Sequence, residues 1–313
     1  MPMLAVDATG GAGPRPLATP VEAAQAKGWR HVYANRLTIP YWGIHITALV
    51  GVVVTGLSWW GLGLALACYV PRMFFVTAAY HRYFSHRSFK TSRWFQFLLG
   101  LGATLTAQKG PLWWAAHHRI HHKLSDAPGD LHSVRQSGFW WAHHGWILTR
   151  DLEGTDLSRI KDFSRYPELR WLNTWWMLPP IALGTLTCVL GGFPVFVWSF
   201  CVCQVLCWHG TFTINSLSHA WGGRRYATDD DSRNNPVLAI ITMGEGWHNN
   251  HHHYQLSARQ GFFWWEVDAT YYMLRALAAV GLIWDLRGVP DHVRDQSPGT
   301  AALPSATETA DVA

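Results

Sequence analysis

Residues 42–86 read "WGIHITALVGVVVTGLSWWGLGLALACYVPRMFFVTAAYHRYFSH". The first part, 42–60, carries no charged side chain, and 61–80 carries only Arg72. A helix needs about 20 apolar residues to cross the hydrocarbon of a bilayer, so the stretch predicts two spans in succession, 42–60 and 61–80. Arg72 conflicts with this, because a charge near mid-bilayer costs on the order of 2.5–3.5 kcal/mol on insertion scales, and its apolar neighbours have to absorb that cost. Residues 172–193 and 194–214 predict spans three and four, divided by "GGFP" (191–194) in a tight hairpin. The fold class expected is an all-α integral membrane protein, with four transmembrane helices in two hairpins and a cytoplasmic helical cap.

Composition agrees with that setting. The 313 residues are 49% apolar and only 14% charged, with 20 tryptophans, which is too little charge for an ordinary soluble domain of this size. Cys68, Cys188, Cys201, Cys203 and Cys207 all fall in apolar runs, which excludes a disulfide framework and a CxxC metal knot. Short loops rich in Lys and Arg stay cytoplasmic. Arg72 is the sole basic residue between Leu37 and Tyr80, and there is none between Trp171 and Gly223, so both hairpin tips face outward. Residues 81–170 and 224–313, with both termini, are expected on the cytoplasmic side of a bacterial inner membrane. Residues 1–38 are expected to be a flexible arm, 39–290 the membrane domain and 291–313 a disordered tail. No signal peptide is visible. Residues 94–108, apolar but short, predict an interfacial or re-entrant helix. There is no Gly-rich nucleotide loop, and no nucleic acid partner is expected.

Three histidine clusters stand out, "HRYFSH" (81–86), "AHHRIHHK" (116–123) and "GEGWHNNHHHYQ" (244–255). At about 100° per residue, His118, His121 and His122 fall within a wedge of about 100° on one helix face, whereas taking His117 in place of His118 widens it to about 140°. His248, His251 and His252 repeat the same spacing and leave His253 outside. His81 and His86, five apart, are about 140° out of register on a regular helix, so they require a helix end or a bulge between them. In "INSLSH", Asn215 and His219 share a face at the end of span four. Neutral imidazole is the commonest metal ligand, and this number exceeds what one zinc takes. Two metals with four or five ligands each fit the count.

In order, spacing and placement against four spans, "HRYFSH", "HRIHH", "NSLSH" and "HNNHH" resemble the integral-membrane fatty acyl desaturases of the stearoyl-CoA type, over roughly residues 40–288. The resemblance implies two non-haem irons held by His81, His86, His118, His121, His122, His219, His248, His251 and His252, with Asn215 reaching one iron through water. It further implies an O2-dependent desaturase that inserts a cis double bond, at Δ9, into a fatty acyl chain carried by CoA or a lipid. Neutral nitrogen ligands suit iron in such chemistry, and imidazole withstands oxidant better than thiolate. No haem-binding or cysteine-rich motif is visible, so electrons are expected from a separate donor: a ferredoxin, a rubredoxin, or a b-type cytochrome with its reductase.

Other residues divide as follows. His45, His209 and His292 read as packing or surface histidines, and His132, His143 and His144 as structural or supporting ones. Asp126, Asp130, Glu245 and Asn249 are candidates to orient metal-bound imidazoles. Arg82, Arg87, Lys90, Arg119 and Lys123 could attract a phosphate-bearing acyl carrier. A di-iron hydroxylase or alkane monooxygenase is the rival enzyme. A histidine-rich metal transporter fits poorly, because its ligands belong at mid-membrane.

Overall fold

The computed structural model describes residues 19–36 and 38–296. Among them, three helices are long and apolar enough to cross a membrane: Thr38–Thr55, Trp59–Ser85 and Leu178–His219. The first turn lies earlier than the sequence boundary at 60/61. Gly56 adopts φ 77°, a left-handed value that ends the first helix at little cost. Ser58 then caps the second by accepting a hydrogen bond from the Gly61 amide.

The Leu178–His219 stretch runs 42 residues, which as a straight helix would extend about 63 Å, twice the hydrocarbon thickness. It is not straight. Gly192 has φ 72° and ψ 179°, and Pro194 follows, so the chain doubles back within the "GGFP" element that the sequence reading used as its divider. The two halves lie side by side: a Cβ added to Gly184 would sit 3.1 Å from the Phe200 ring.

Arg72 is buried by polar contacts as well as apolar ones. Its Nη1 donates to the Ser199 carbonyl at 2.7 Å and lies 2.8 Å from the Cys203 sulfur, while the guanidinium covers the Phe200 ring. The stretch Phe196–Val202 is wound as a π-helix, a form in which the wider turn loosens the regular ladder.

The remaining chain gathers in short helices against one end of the long ones. Arg93–Thr104 packs on Phe75–Ser85, with Gly102 against the Phe75 ring, and presents Trp94 and Leu98 outward. A two-stranded antiparallel ladder, Lys90–Thr91 with Ile283–Trp284, ties the two halves of this layer. Composition assigned residues 1–38 to a flexible arm, but Pro20–Ala26 and Gly28–Tyr33 are helical and bury Val21, Ala24 and Val32. A capping box between Thr19 and Glu22 starts the first of them, and apolar contact with the cluster around Trp141 and Trp146 holds both. The expected disordered tail likewise begins with a short helix, Asp291–Arg294, that buries Val293. Residues 1–18 and 297–313 of these arms, and Leu37, lie outside the described residues.

Close packing at glycine gives a test of this architecture. A Cβ at Gly102 would sit 2.4 Å from the Phe75 ring, whereas Gly63 has nothing within 4 Å. Gly102→Val is expected to cost about 1–3 kcal/mol and to lower the melting temperature in detergent by several degrees, while Gly63→Ala leaves it unchanged. Equal melting of the two variants would contradict the packing.

Candidate metal centre

The histidines are brought together by four separate backbone devices. Phe75–Ser85 is a π-helix, the bulge that the five-residue spacing of His81 and His86 demands, and the His86 amide donates to the His81 carbonyl at 3.2 Å. Pro111–Leu124, begun by Pro111 at its first position, carries His118, His121 and His122. His219 leaves the long apolar helix on a single 3-10 turn, Leu217–His219. His248–His253 is a short buried helix.

Two groups result. His81, His86, His118, His122 and His251 form one, and His121, His219, His248 and His252 the other, with the potential ligand atoms of each within 4.8 Å of one another. In the first group the Nε2 atoms of His81 and His251, His86 and His118, His118 and His122, and His122 and His251 approach to 2.9–3.0 Å. In the second, His219 and His248 approach to 3.1 Å, and the buried Nε2 atoms of His121 and His252 have no hydrogen-bond partner. Each helix straddles the groups: His118 and His122 stand in one and His121 in the other, and His251 stands in one and His248 with His252 in the other.

The outer nitrogens explain which way the rings point. His81 Nδ1 lies 2.5 Å from Glu245, His121 Nδ1 2.9 Å from Asp130, His219 Nδ1 2.7 Å from Asp126 and His252 Nδ1 2.5 Å from Asp230. An Nδ1 hydrogen given to a carboxylate leaves a lone pair on Nε2, aimed inward. Lone pairs converging this closely repel unless a cation lies between them, so the donor set fits metal ions.

Electrostatics favour the same state. Burial first, then neighbouring imidazoles, push His86, His118, His122, His248 and His251 well below the usual histidine range, which keeps them neutral. Burial works to raise Asp130 and Glu245, but His121 for the first, and His81 with Arg82 for the second, prevail and hold both carboxyls at about 2.

Other sequence candidates fall elsewhere. His117 stacks on Trp113 and its Nδ1 meets the Trp113 carbonyl, while His253 stacks on Tyr226 with its Nε2 at the Val293 carbonyl. His45, His209 and His143 pair with one another away from both groups. Asn249 accepts from the Arg225 and Tyr226 amides instead of touching a clustered imidazole. Asp230 went unnoticed in the sequence, where its only sign was the run "DDD" at 229–231. His132 stacks near His121 and lines a narrow crevice with His118, Asn215, Gln108 and Trp114. The crevice shares Ile147 and Phe212 with a larger apolar cleft of about 290 Å³.

The fatty acid desaturase family model matches residues 57–287, which contain all nine histidines of the two groups. The chain belongs to the fatty acid desaturase family. It is 38% identical over 252 residues to an sn-1 stearoyl-lipid 9-desaturase of Anabaena variabilis, covering 80% of this chain and 92% of that one. It is 40% identical over 232 residues to an sn-2 palmitoyl-lipid 9-desaturase of a Nostoc species, 72% and 81% of the two chains. It is also 37% identical over 225 residues to an icosanoyl-CoA 5-desaturase of Limnanthes douglasii, 71% and 63% of the two. The relatives thus differ in both acyl carrier and bond position. The resemblance to the stearoyl-CoA type is therefore narrower than the membership found here.

For this desaturase the histidine register is testable by metal content. His118→Ala is expected to empty or weaken the five-histidine group, whereas His117→Ala and His253→Ala keep the wild-type metal content. Asp230→Asn should weaken metal retention by roughly 10–100-fold. Equal metal loss in all variants at equal expression would contradict the geometry.

Proposed function

We propose that the protein is an O2-dependent desaturase that inserts a cis double bond at Δ9 of a saturated acyl chain, with two iron ions held by the nine clustered histidines. The observation that carries this reading is the pair of inward-facing imidazole groups beside an apolar cleft. Bound iron would supply the activation of O2 needed to take hydrogen from an unactivated methylene. Overall, O2, two external electrons, two protons and two acyl hydrogens become two waters and a C=C bond, and the electrons come from a separate donor protein.

The chain's own residues then have defined tasks. Asp126, Asp130, Asp230 and Glu245 hold four imidazoles in the ligating tautomer. Gln108, Trp114 and Phe212 narrow the crevice beside His118, confining one C–C pair of the chain and excluding water. Asn215, on the crevice wall, would reach one of the metals through water. We place four spans in the bilayer, counting the two arms of Leu178–His219 separately, with the histidine side and both termini in the cytoplasm of a bacterium, as the distribution of basic residues favours. All three relatives above are named as desaturases, which supports desaturation over hydroxylation. The Δ9 position draws support from the two cyanobacterial relatives. For the carrier, acyl-CoA is the reading that the stearoyl-CoA resemblance suggests, and acyl-lipid the one that those two relatives suggest.

The test is expression in a host lacking the activity, with chains of 16 and 18 carbons and mass spectrometry of derivatised products. The double bond is expected at C9 from the carboxyl in both. A bond at constant distance from the methyl end would overturn Δ9 selection, and absence of any new double bond would overturn the desaturase reading.

A further inference from the structure

The five basic residues best placed in the sequence to hold a phosphate-bearing head group are largely committed elsewhere. Arg82 is buried between Glu245 and Asp268, each 3.0 Å away. Arg119 grips Asp162 with both terminal nitrogens, and Arg87 lies 3.6 Å from the same carboxylate. Lys90 pairs with Asp285 at 2.8 Å. Of the five, Lys123 alone has no carboxylate partner among the described residues, and it is solvent-exposed on the far turn of its helix.

A sixth cation behaves differently. Lys109 is 5% exposed and lines the apolar cleft, yet its Nζ makes no hydrogen bond or ion pair among the described residues. Its charge faces two indole rings, Trp176 at 4.8 Å and Trp113 at 5.8 Å. Burial pushes its pKa down to about 8, against an opposing pull from Glu153. Lys109 has φ 72° and its carbonyl is taken by the Tyr80 hydroxyl, so the backbone that aims this side chain is fixed. An ammonium desolvated in this way lacks an acceptor of its own.

The cleft opens sideways. The Thr38–Thr55 helix and the first arm of the Leu178–His219 hairpin both pack on Phe196–Val202. Between them the cleft runs beside Phe200 and Trp208, with exposed Pro40, Ile181 and Thr185 at its rim. These rim residues belong to two of the helices long and apolar enough to cross a membrane, Pro40 to Thr38–Thr55 and the other two to Leu178–His219. At its other end the cleft meets the crevice beside His118 at Ile147 and Phe212.

We propose that this cleft takes its acyl chain laterally from the bilayer, and that Lys109 binds the ester end of a membrane glycerolipid. The inference rests on the desaturase reading and names its carrier. Ester and phosphate oxygens supply the acceptor that Lys109 lacks, and the lipid's apolar body matches the walls. Lys109 also adjoins Gln108, whose side chain lines the crevice. Anchor and reaction site therefore share one short loop, a fixed ruler from the carboxyl end.

The test uses the iron-loaded holoenzyme in phosphatidylcholine vesicles with sn-1 stearoyl chains, given a ferredoxin-type reductant, and in parallel with soluble stearoyl-CoA. Wild type is expected to desaturate the esterified chain in place. Lys109→Met should raise the apparent KM for vesicle lipid by about tenfold or more with kcat and iron content little changed, and Lys109→Arg should recover most of the loss. Native mass spectrometry of lipid bound to the variants gives a readout independent of turnover, with Lys109→Met carrying less phospholipid. Desaturation of stearoyl-CoA alone, or wild-type lipid KM and bound lipid in Lys109→Met, overturns the inference while leaving the desaturase standing. No desaturation of either carrier overturns both.

Discussion

The structure depends on one electrostatic constraint: imidazole lone pairs are held facing one another in a buried site until cations separate them. Neutral rings are required, and burial supplies neutrality. Fixed tautomers are also required, and Asp126, Asp130, Asp230 and Glu245 supply them from outside. Those carboxylates need support in turn, from Ser133 at 2.6 Å for Asp126, Ser232 at 2.5 Å for Asp230 and Arg82 for Glu245. The polar layer is thus a nested scaffold around two groups of nitrogen atoms, and removing an outer member leaves a buried partner unsatisfied.

Backbone geometry serves the same constraint. A regular helix could not aim His81 and His86 together, and the π-wound Phe75–Ser85 does so. The doubled-back Leu178–His219 stretch delivers His219 to the same layer from the opposite side. The apolar cleft and the crevice beside His118 share Ile147 and Phe212 in their walls, so the two cavities adjoin within the fold.

Much of this was legible in the sequence because it is written in periodicities. Apolar runs of span length, the H-x-x-H-H register, the bulge between His81 and His86 and the hairpin at "GGFP" all follow from helix geometry and glycine chemistry. What was not legible came from long-range pairing. Asp230 sits in an ordinary acidic run, and only the fold brings it to His252. Asn249, between two histidines, looked like a partner for them but caps the loop at Tyr226 instead. The helices at 20–33 were hidden because alanine-rich composition looks alike in an arm and in a small packed helix. Arg82 and Arg119 read as a basic face, and their carboxylate partners lie from 43 to 186 residues away.

The central claim is that the two imidazole groups hold two irons that act together. The direct measurement is activity as a function of iron bound per chain, with apo-protein reconstituted anaerobically and assayed with substrate, reductant and O2. Activity should rise to its plateau only as the second iron binds. Full activity at one metal per chain, or in protein holding zinc and no iron, would contradict the account.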